Sequence, residues 1–219
     1  MRRAGPAVLL NPAGKRDWVE LAAAILLAFS AVATAWSSYQ ATRWNGEQQK
    51  TSSRVNKTRI EAARAADRTN ALTQVDIATF IQWVDAYAQD RTELESFYRT
   101  RFRDEFKPAF DAWIATRPLE SSGAAPTPFA LPEYKLASAA EAERLDAQAE
   151  VLAATVRRDI QRASNYVLAV VLFAVALFFA GMSARLAASG LRTAMLVVGW
   201  IVFLGAAAWV ATSPMSVGV

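Results

Sequence analysis

The sequence predicts an all-α protein with three transmembrane helices and an extracytoplasmic helical bundle inserted between spans one and two. Three observations carry this expectation. Residues 21–42, residues 163–184 and everything after Arg192 lack a charged side chain. The stretch between the first two windows is polar, with apolar residues at helical spacing and a single Pro-rich interruption. The excess of cations falls entirely outside that stretch.

A helix needs about 20 mainly apolar residues to cross a hydrocarbon core of roughly 30 Å. The windows meet that length and give spans at Val19–Ser37, Tyr166–Ser183 and Thr193–Ala211. One such window alone would equally suit a buried core helix; three in a chain of 219 residues point to a bilayer.

Residues 1–18 read as a cytoplasmic N-terminus containing Arg2, Arg3, Lys15 and Arg16. With the apolar run that follows and Ala-Thr-Ala at 33–35, this start also resembles a secretory signal peptide. The long leader, its acidic Asp17 and Glu20, and the length of the apolar run favour an uncleaved anchor. Trp18 at the inner boundary and Trp36, Tyr39 and Trp44 at the outer one are expected as interface anchors, because amphipathic rings settle at headgroup depth. Arg43 is the first charge beyond span one, and Gly46 is where the continuing helix is expected to weaken.

Residues 38–165 form the expected outer domain. Ile77, Phe80, Ile81, Val84 and Tyr87 share one helical face, followed by Leu94, Phe97, Tyr98 and Phe102. Asp104 is placed to cap a further helix carrying Phe106, Phe110, Trp113 and Ile114, with Pro108 near its first turn. Four of eight prolines lie between 118 and 132, so 117–134 reads as a loop. It either docks a partner or folds Phe129, Leu131 and Tyr134 over the bundle tip, and three large apolar groups favour the second. From Lys135 the helix resumes, with Leu145, Ala149, Leu152, Val156, Ile160 and Ala163 as a seam leading into span two. Residues 184–192 make a short cytoplasmic loop and 212–219 an outer C-terminus.

Charge supports this orientation. Residues 39–165 hold 18 Lys plus Arg against 18 Asp plus Glu, so the net +4 belongs to the N-terminus and the 184–192 loop. The positive-inside rule places both in the cytoplasm of a bacterial inner membrane. The high pI of about 9.6 is thereby a topology signal, and nucleic acid is not expected as a partner. The chain has no His and no Cys. That removes imidazole bases, thiol nucleophiles, disulfides and His- or Cys-ligated zinc, and no nucleotide-binding or hydrolase motif appears. No enzyme activity, metal or cofactor is expected.

The stretches "WSSYQATRWNGEQ", "FIQWVDAYAQDRTELESFYRTRFRDEFKPAFDAWIATRP" and "NYVLAVVLFAVALFFAGMS" resemble those of a family of small bacterial membrane proteins. The resemblance spans residues 36–183. It implies one span, an extracytoplasmic helical domain and two further spans, and it brings no catalytic residue. A looser similarity, of topology alone, is to the outer bundles of chemoreceptors and sensor kinases.

Three constellations have competing readings. Ala24, Ala28, Ala31, Ala35, Ser38 and Thr42 recur at steps of four and three, a small-residue seam that lets another helix approach closely. Its partner is span two or three, through Ala176, Ala180 and Ala184 or Gly199 and Gly205, or else span one of a second copy. Glu20 is the candidate ionisable site, read as an ion- or proton-handling group or, more ordinarily, as an interface partner of Lys15 and Arg16. The run Arg99, Arg101, Arg103, Asp104, Glu105, Lys107 is either an anion contact or a solvated face.

The leading expectation is a membrane-anchored structural or interaction protein, self-associating or an accessory subunit of an envelope complex. Its partners would be the lipid bilayer and a second copy or another membrane protein. Against it stand a small homo-oligomeric channel lined by span one, through Ser30, Thr34 and Ser37, and a ligand sensor of helical-bundle form.

Overall fold

The computed structural model describes residues 18–118, 120–121, 123–186 and 188–216. Among them the regular elements are all helical: α1 Trp18–Ala88, α2 Thr92–Arg101, α3 Lys107–Ala115, α4 Ala137–Ser183 and α5 Ser189–Ala211, with one 3-10 turn at Pro128–Ala130. The N-terminal segment up to Asp17, including Lys15 and Arg16, lies outside the described residues, as do 217–219. Among the described residues, three helices are long and apolar enough to cross a membrane. Only 22%, 33% and 17% of their most apolar windows is buried. A core helix of a water-soluble protein would be covered, so apolar surface on this scale calls for lipid.

The chain forms two compact units. One comprises the residues up to Lys50 and from Thr155 onward; the other is Thr51–Ala154. α1 and α4 contribute to both. α1 passes Gly46 without a break, where weakening was expected. The cost of one glycine, about 1 kcal/mol, is small against a helix 71 residues long.

In the first unit the apolar parts of α1, α4 and α5 pack through small residues. Val19, Ala23, Leu26, Ala180 and Leu196 make one buried cluster, and Ala169, Phe173 and Ala206 another. Gly199 is where the approach is closest: a Cβ there would stand 2.9 Å from Leu26 Cδ2 and 3.3 Å from Phe179 Cβ. Ala176 and Ala180 are fully buried, so these members of the expected small surfaces serve the packing, whereas Ala184 and Gly205 are exposed. The face α1 offers is not the expected one. Ala24, Ala28, Ala31, Ala35, Ser38 and Thr42 are all exposed, while Ala23, Leu26, Ser30, Ser37, Gln40, Ala41 and Trp44 are buried. Span one carries two overlapping small-residue stripes, and the bulkier Leu26 and Trp44 decide the choice because they contribute more contact.

The unit also fixes an up-down-up order. Near one end Glu20 Oε1 lies 3.4 Å from Arg192 Nη2, joining the start of α1 to the start of α5. At the other, Tyr166 donates its hydroxyl to the Pro214 carbonyl (3.2 Å), and the Ser216 N–H donates to Gln40 Oε1 (3.0 Å). The C-terminal end of α5 therefore meets the segment of α1 beyond span one and the beginning of span two.

The second unit is built on an aromatic core. Phe80 and Trp83 of α1, Phe102 and Phe106 of the α2–α3 turn, and Phe110 and Trp113 of α3 are buried together. Trp83 and Phe110 meet edge to face at 4.8 Å and Phe80 and Trp113 at 5.3 Å, the arrangement ring quadrupoles prefer. The Pro-rich loop folds back: Phe129, Leu131 and Tyr134 pack on this core, and Trp113 Nε1 donates to the Ala125 carbonyl (2.8 Å). α1 ends in a turn with Asp90 at φ 55°, its amide bonded to Tyr87 O and that of Arg91 to Ala86 O. This closes the helix in the Schellman manner, with Asp in place of the usual Gly. α2 then starts with Glu93 and Glu95 and finishes with Arg99 and Arg101, in keeping with the helix dipole.

Three expected details differ. The buried face of α1 here is Asp76, Phe80, Trp83 and Ala86, so that Ile77, Ile81, Val84 and Tyr87 are exposed. In α4, Asp159 takes the buried position beside an exposed Ile160. Asp104 does not cap α3, whose N-cap is Phe106 with no side-chain bond; Asp104 is exposed and pairs with Lys107 (2.7 Å).

Asp76 is the polar hub of this unit. It is 0% exposed, and its Oδ2 accepts from Arg103 Nη1 (2.8 Å) and the Tyr134 hydroxyl (3.0 Å). Thr73 Oγ1 lies 3.3 Å from the same hydroxyl. Arg103 also pairs with Glu105, whose Oε1 accepts the Ala137 N–H at the start of α4 (3.0 Å). One chain of bonds thus links α1, the α2–α3 turn, the Pro-rich loop and α4, and satisfies one otherwise orphaned helix donor. Burial pushes the Asp76 carboxyl above the ordinary carboxylate range; the bond from Tyr134 and the charge of Arg103 pull it down without offsetting that. Burial likewise pushes the Tyr134 phenol up.

Two outcomes are expected. Gly199→Val forces a branched side chain onto Leu26 and Phe179 and should cost about 1–3 kcal/mol, read as a lower Tm in detergent, whereas Gly205→Val, in open space, should leave Tm unchanged. Asp76→Ala leaves Arg103 to Glu105 and Tyr134 to Thr73 and should cost about 1–3 kcal/mol, read as a lower Tm, the range for removing one partner of a buried hydrogen bond. Because the Asp76 pKa is raised, the folded state holds its proton more tightly than the unfolded chain does. That contribution is complete below the ordinary carboxylate range and is lost as pH climbs through the raised value. Asp76→Asn, which cannot ionise, should flatten this limb of a Tm-against-pH curve.

Candidate functional site

Glu20, the candidate ionisable site, is an exposed carboxylate at the end of its helix. Its side chain is 69% exposed and pairs with Arg192, itself 16% exposed, so its partner is at the start of α5, and Lys15 and Arg16 fall outside the described residues. Of the expected interface anchors, Trp18, Trp36 and Tyr39 are exposed on the chain, with Trp36 and Tyr39 rings 5.9 Å apart. Trp44 turns inward instead, packing with Ala41, Ala163 and Tyr166 under the Arg162 guanidinium, 4.5 Å from its ring. Asp159, 3.3 Å from Arg162, holds that cation in place.

The hydroxyls considered for a pore wall face other ways. Ser30 and Ser37 are fully buried, with no hydrogen-bond partner for either Oγ among the described residues, and Thr34 Oγ1 donates back to the Ser30 carbonyl (2.7 Å). The described residues contain no group of three His, Cys, Asp or Glu side chains placed to hold a metal.

The surface that needs explaining is on the second unit. Ile77, Ile81, Val84 and Tyr87 follow one another at steps of four, three and three, so they lie along one side of α1 and are 39%, 56%, 40% and 45% exposed. Val84 and Tyr87 then become one wall of a cup of about 220 Å³, completed by Trp83, Trp113, Ile114 and Pro118. Around this apolar cup stand Glu95, Arg99, Arg117 and Glu120, two charges of each sign. Arg99 is held by Asp111 (2.9 Å), and Arg117, at φ 50°, ends the α3 turn and reaches Glu120 (3.8 Å). The aromatic core positions the cup: Trp83 stacks on Tyr87 (5.4 Å) and meets Trp113 edge to face (6.4 Å).

Periodicity found these residues but grouped them on one face with Phe80, which is buried. Asp76 was the available signal: once a carboxylate with two partners occupies the inner side, the aliphatic side one residue away must turn out. The cup was not legible, since it joins side chains from α1, α2, α3 and the following loop. Compared with known proteins, the chain matches no family model, no curated protein and no solved structure.

Proposed function

We propose that this chain is a membrane-anchored helical protein of the bacterial inner membrane that self-associates through the second unit. The N-terminus and the 184–192 loop lie in the cytoplasm, and residues 38–165 stand outside it. The observation that carries the reading is the exposed Ile77–Ile81–Val84–Tyr87 face leading into the charged-rimmed cup. An apolar strip bordered by charge is the make-up of a docking surface. The rim points to a second copy as occupant. A two-fold contact requires one patch to supply both members of each pair, and Glu95 and Glu120 with Arg99 and Arg117 give that balance. Confinement of two copies to one membrane raises their effective concentration, so a modest interface suffices.

The orientation is supported by cation placement and by the Glu20–Arg192 pair, which puts the start of span one and the 184–192 loop at one end of the membrane unit. The small-residue stripe Ala24–Ala28–Ala31–Ala35, exposed on the single chain, gives a second surface compatible with close approach of another copy. The channel reading has less support, because Ser30 and Ser37 are turned into the unit and Glu20, at the end of span one, is the one charge within the span limits.

Light scattering in mild detergent should show a dimer at micromolar protein. Ile81→Glu with Val84→Glu should weaken association at least tenfold while preserving the helical circular dichroism signal. A wild-type monomer, an unaffected double variant, or a different protein in one-to-one ratio on this face would each overturn self-association. For orientation, a reporter active only outside the cytoplasm should be active when fused within 121–130 and silent when fused after Arg185; the reverse pattern would overturn it.

A further inference from the structure

A second concavity of this unit has a different chemistry. A groove of about 690 Å³ is lined by Arg64, Ala65, Arg68 and Leu72 of α1, Arg103 and Glu105 of the α2–α3 turn, and Ala137, Ser138 and Glu141 of α4. Its volume is that of a small-molecule site. Its charges are unevenly matched. Arg103 is neutralised by Asp76 and Glu105, and Glu105 is further engaged by the Ala137 N–H. Glu141 is held by Arg144 through bonds of 3.0 and 2.6 Å. Arg64 and Arg68 are left: among the described residues neither has an ion-pair or hydrogen-bond partner.

Two guanidinium groups four residues apart on one helix repel each other, and an isolated helix is destabilised by such a pair. Here both line the same groove. The opposite wall offers the Ser138 hydroxyl, placed by Thr69 Oγ1 at 2.8 Å, at the positive end of the α4 dipole. Ala65, Leu72 and Ala137 are the apolar part of the lining, and Arg64 and Arg68 are exposed to solvent. Arg103 cannot swing away, being tied on both sides.

We propose that this groove binds a phosphate- or sulfate-bearing ligand, with Arg64 and Arg68 as its charge-assisted donors and Ser138 as a neutral one. Planar guanidinium forks match tetrahedral oxyanions, and two of them on adjacent turns can clasp one such group. The expected ligand is a small oxyanion or a larger molecule presenting one, and a phospholipid headgroup offers the same chemistry.

The test uses the full chain in detergent with inorganic phosphate as the probe. Phosphate should raise Tm in a saturable way, while chloride at matched ionic strength should not. Arg64→Gln with Arg68→Gln should weaken phosphate binding at least tenfold, and should leave the Tm without phosphate unchanged or slightly higher, since a like-charge pair is relieved. An equal phosphate shift in the double variant, or equal shifts from phosphate and chloride, would overturn the proposal. Repeating the titration in nanodiscs assigns the source. Suppression of the phosphate shift by phosphatidylglycerol, but not by neutral lipid, identifies a headgroup, and an unchanged shift identifies a soluble anion. Dimer formation is read separately, so loss of self-association leaves this site standing.

Discussion

The constraint on which the architecture rests is that hydrocarbon offers the backbone no hydrogen-bond partner. Each peptide group in the three apolar segments must be satisfied within its own helix, and charges must sit at or beyond the ends of those segments. The sequence obeys both conditions. α1, α4 and α5 keep unbroken hydrogen-bonded runs through their apolar windows, and the nearest charges, Glu20, Arg43, Arg162, Arg185 and Arg192, flank those windows. What remains for side chains is to decide which faces meet. With lipid as apolar as Leu, that choice falls to shape, and Gly199 receiving Leu26 is its clearest instance.

Outside the windows a different economy applies, and here carboxylates decide the faces. Helical spacing predicted Ile77 and Ile160 as inward positions, yet Asp76 and Asp159, each one residue earlier, are the buried ones. Each is buried with a cation: Asp76 with Arg103 at 2.8 Å, Asp159 with Arg162 at 3.3 Å. A lone charge could not hold such a position, but a paired and hydrogen-bonded one can, and it fixes one register in return. A pattern built on apolar residues alone is blind to this. It therefore finds helical segments here and turns two of them by one residue.

The same reasoning separates what was legible from what was not. The all-helical class, the three long apolar helices and the folding back of Phe129, Leu131 and Tyr134 follow from local composition, because apolar length and aromatic bulk are local properties. The small-residue stripe of span one was ambiguous at source: alanines at 23 and 33 compete with those at 24, 28, 31 and 35, and only the partner helix distinguishes them. The two concavities of the second unit were beyond reach. Arg64 and Arg103, or Tyr87 and Pro118, come together only through the turn at Asp90 and the return of the Pro-rich loop.

The bonds from Tyr166 to Pro214 and from Ser216 to Gln40 have a consequence for biosynthesis. They join a residue of α4 and a residue of α1 to a segment that leaves the ribosome after all three apolar helices. Until α5 has been threaded, Gln40 has no such partner and Leu26 no Gly199 to rest in. The first two helices therefore wait in the bilayer as an incomplete pair, and insertion of the last one seals it. An early stop that removed α5 would leave two anchors in the membrane but no closed unit, and so a substrate for quality-control proteolysis rather than a shortened working protein.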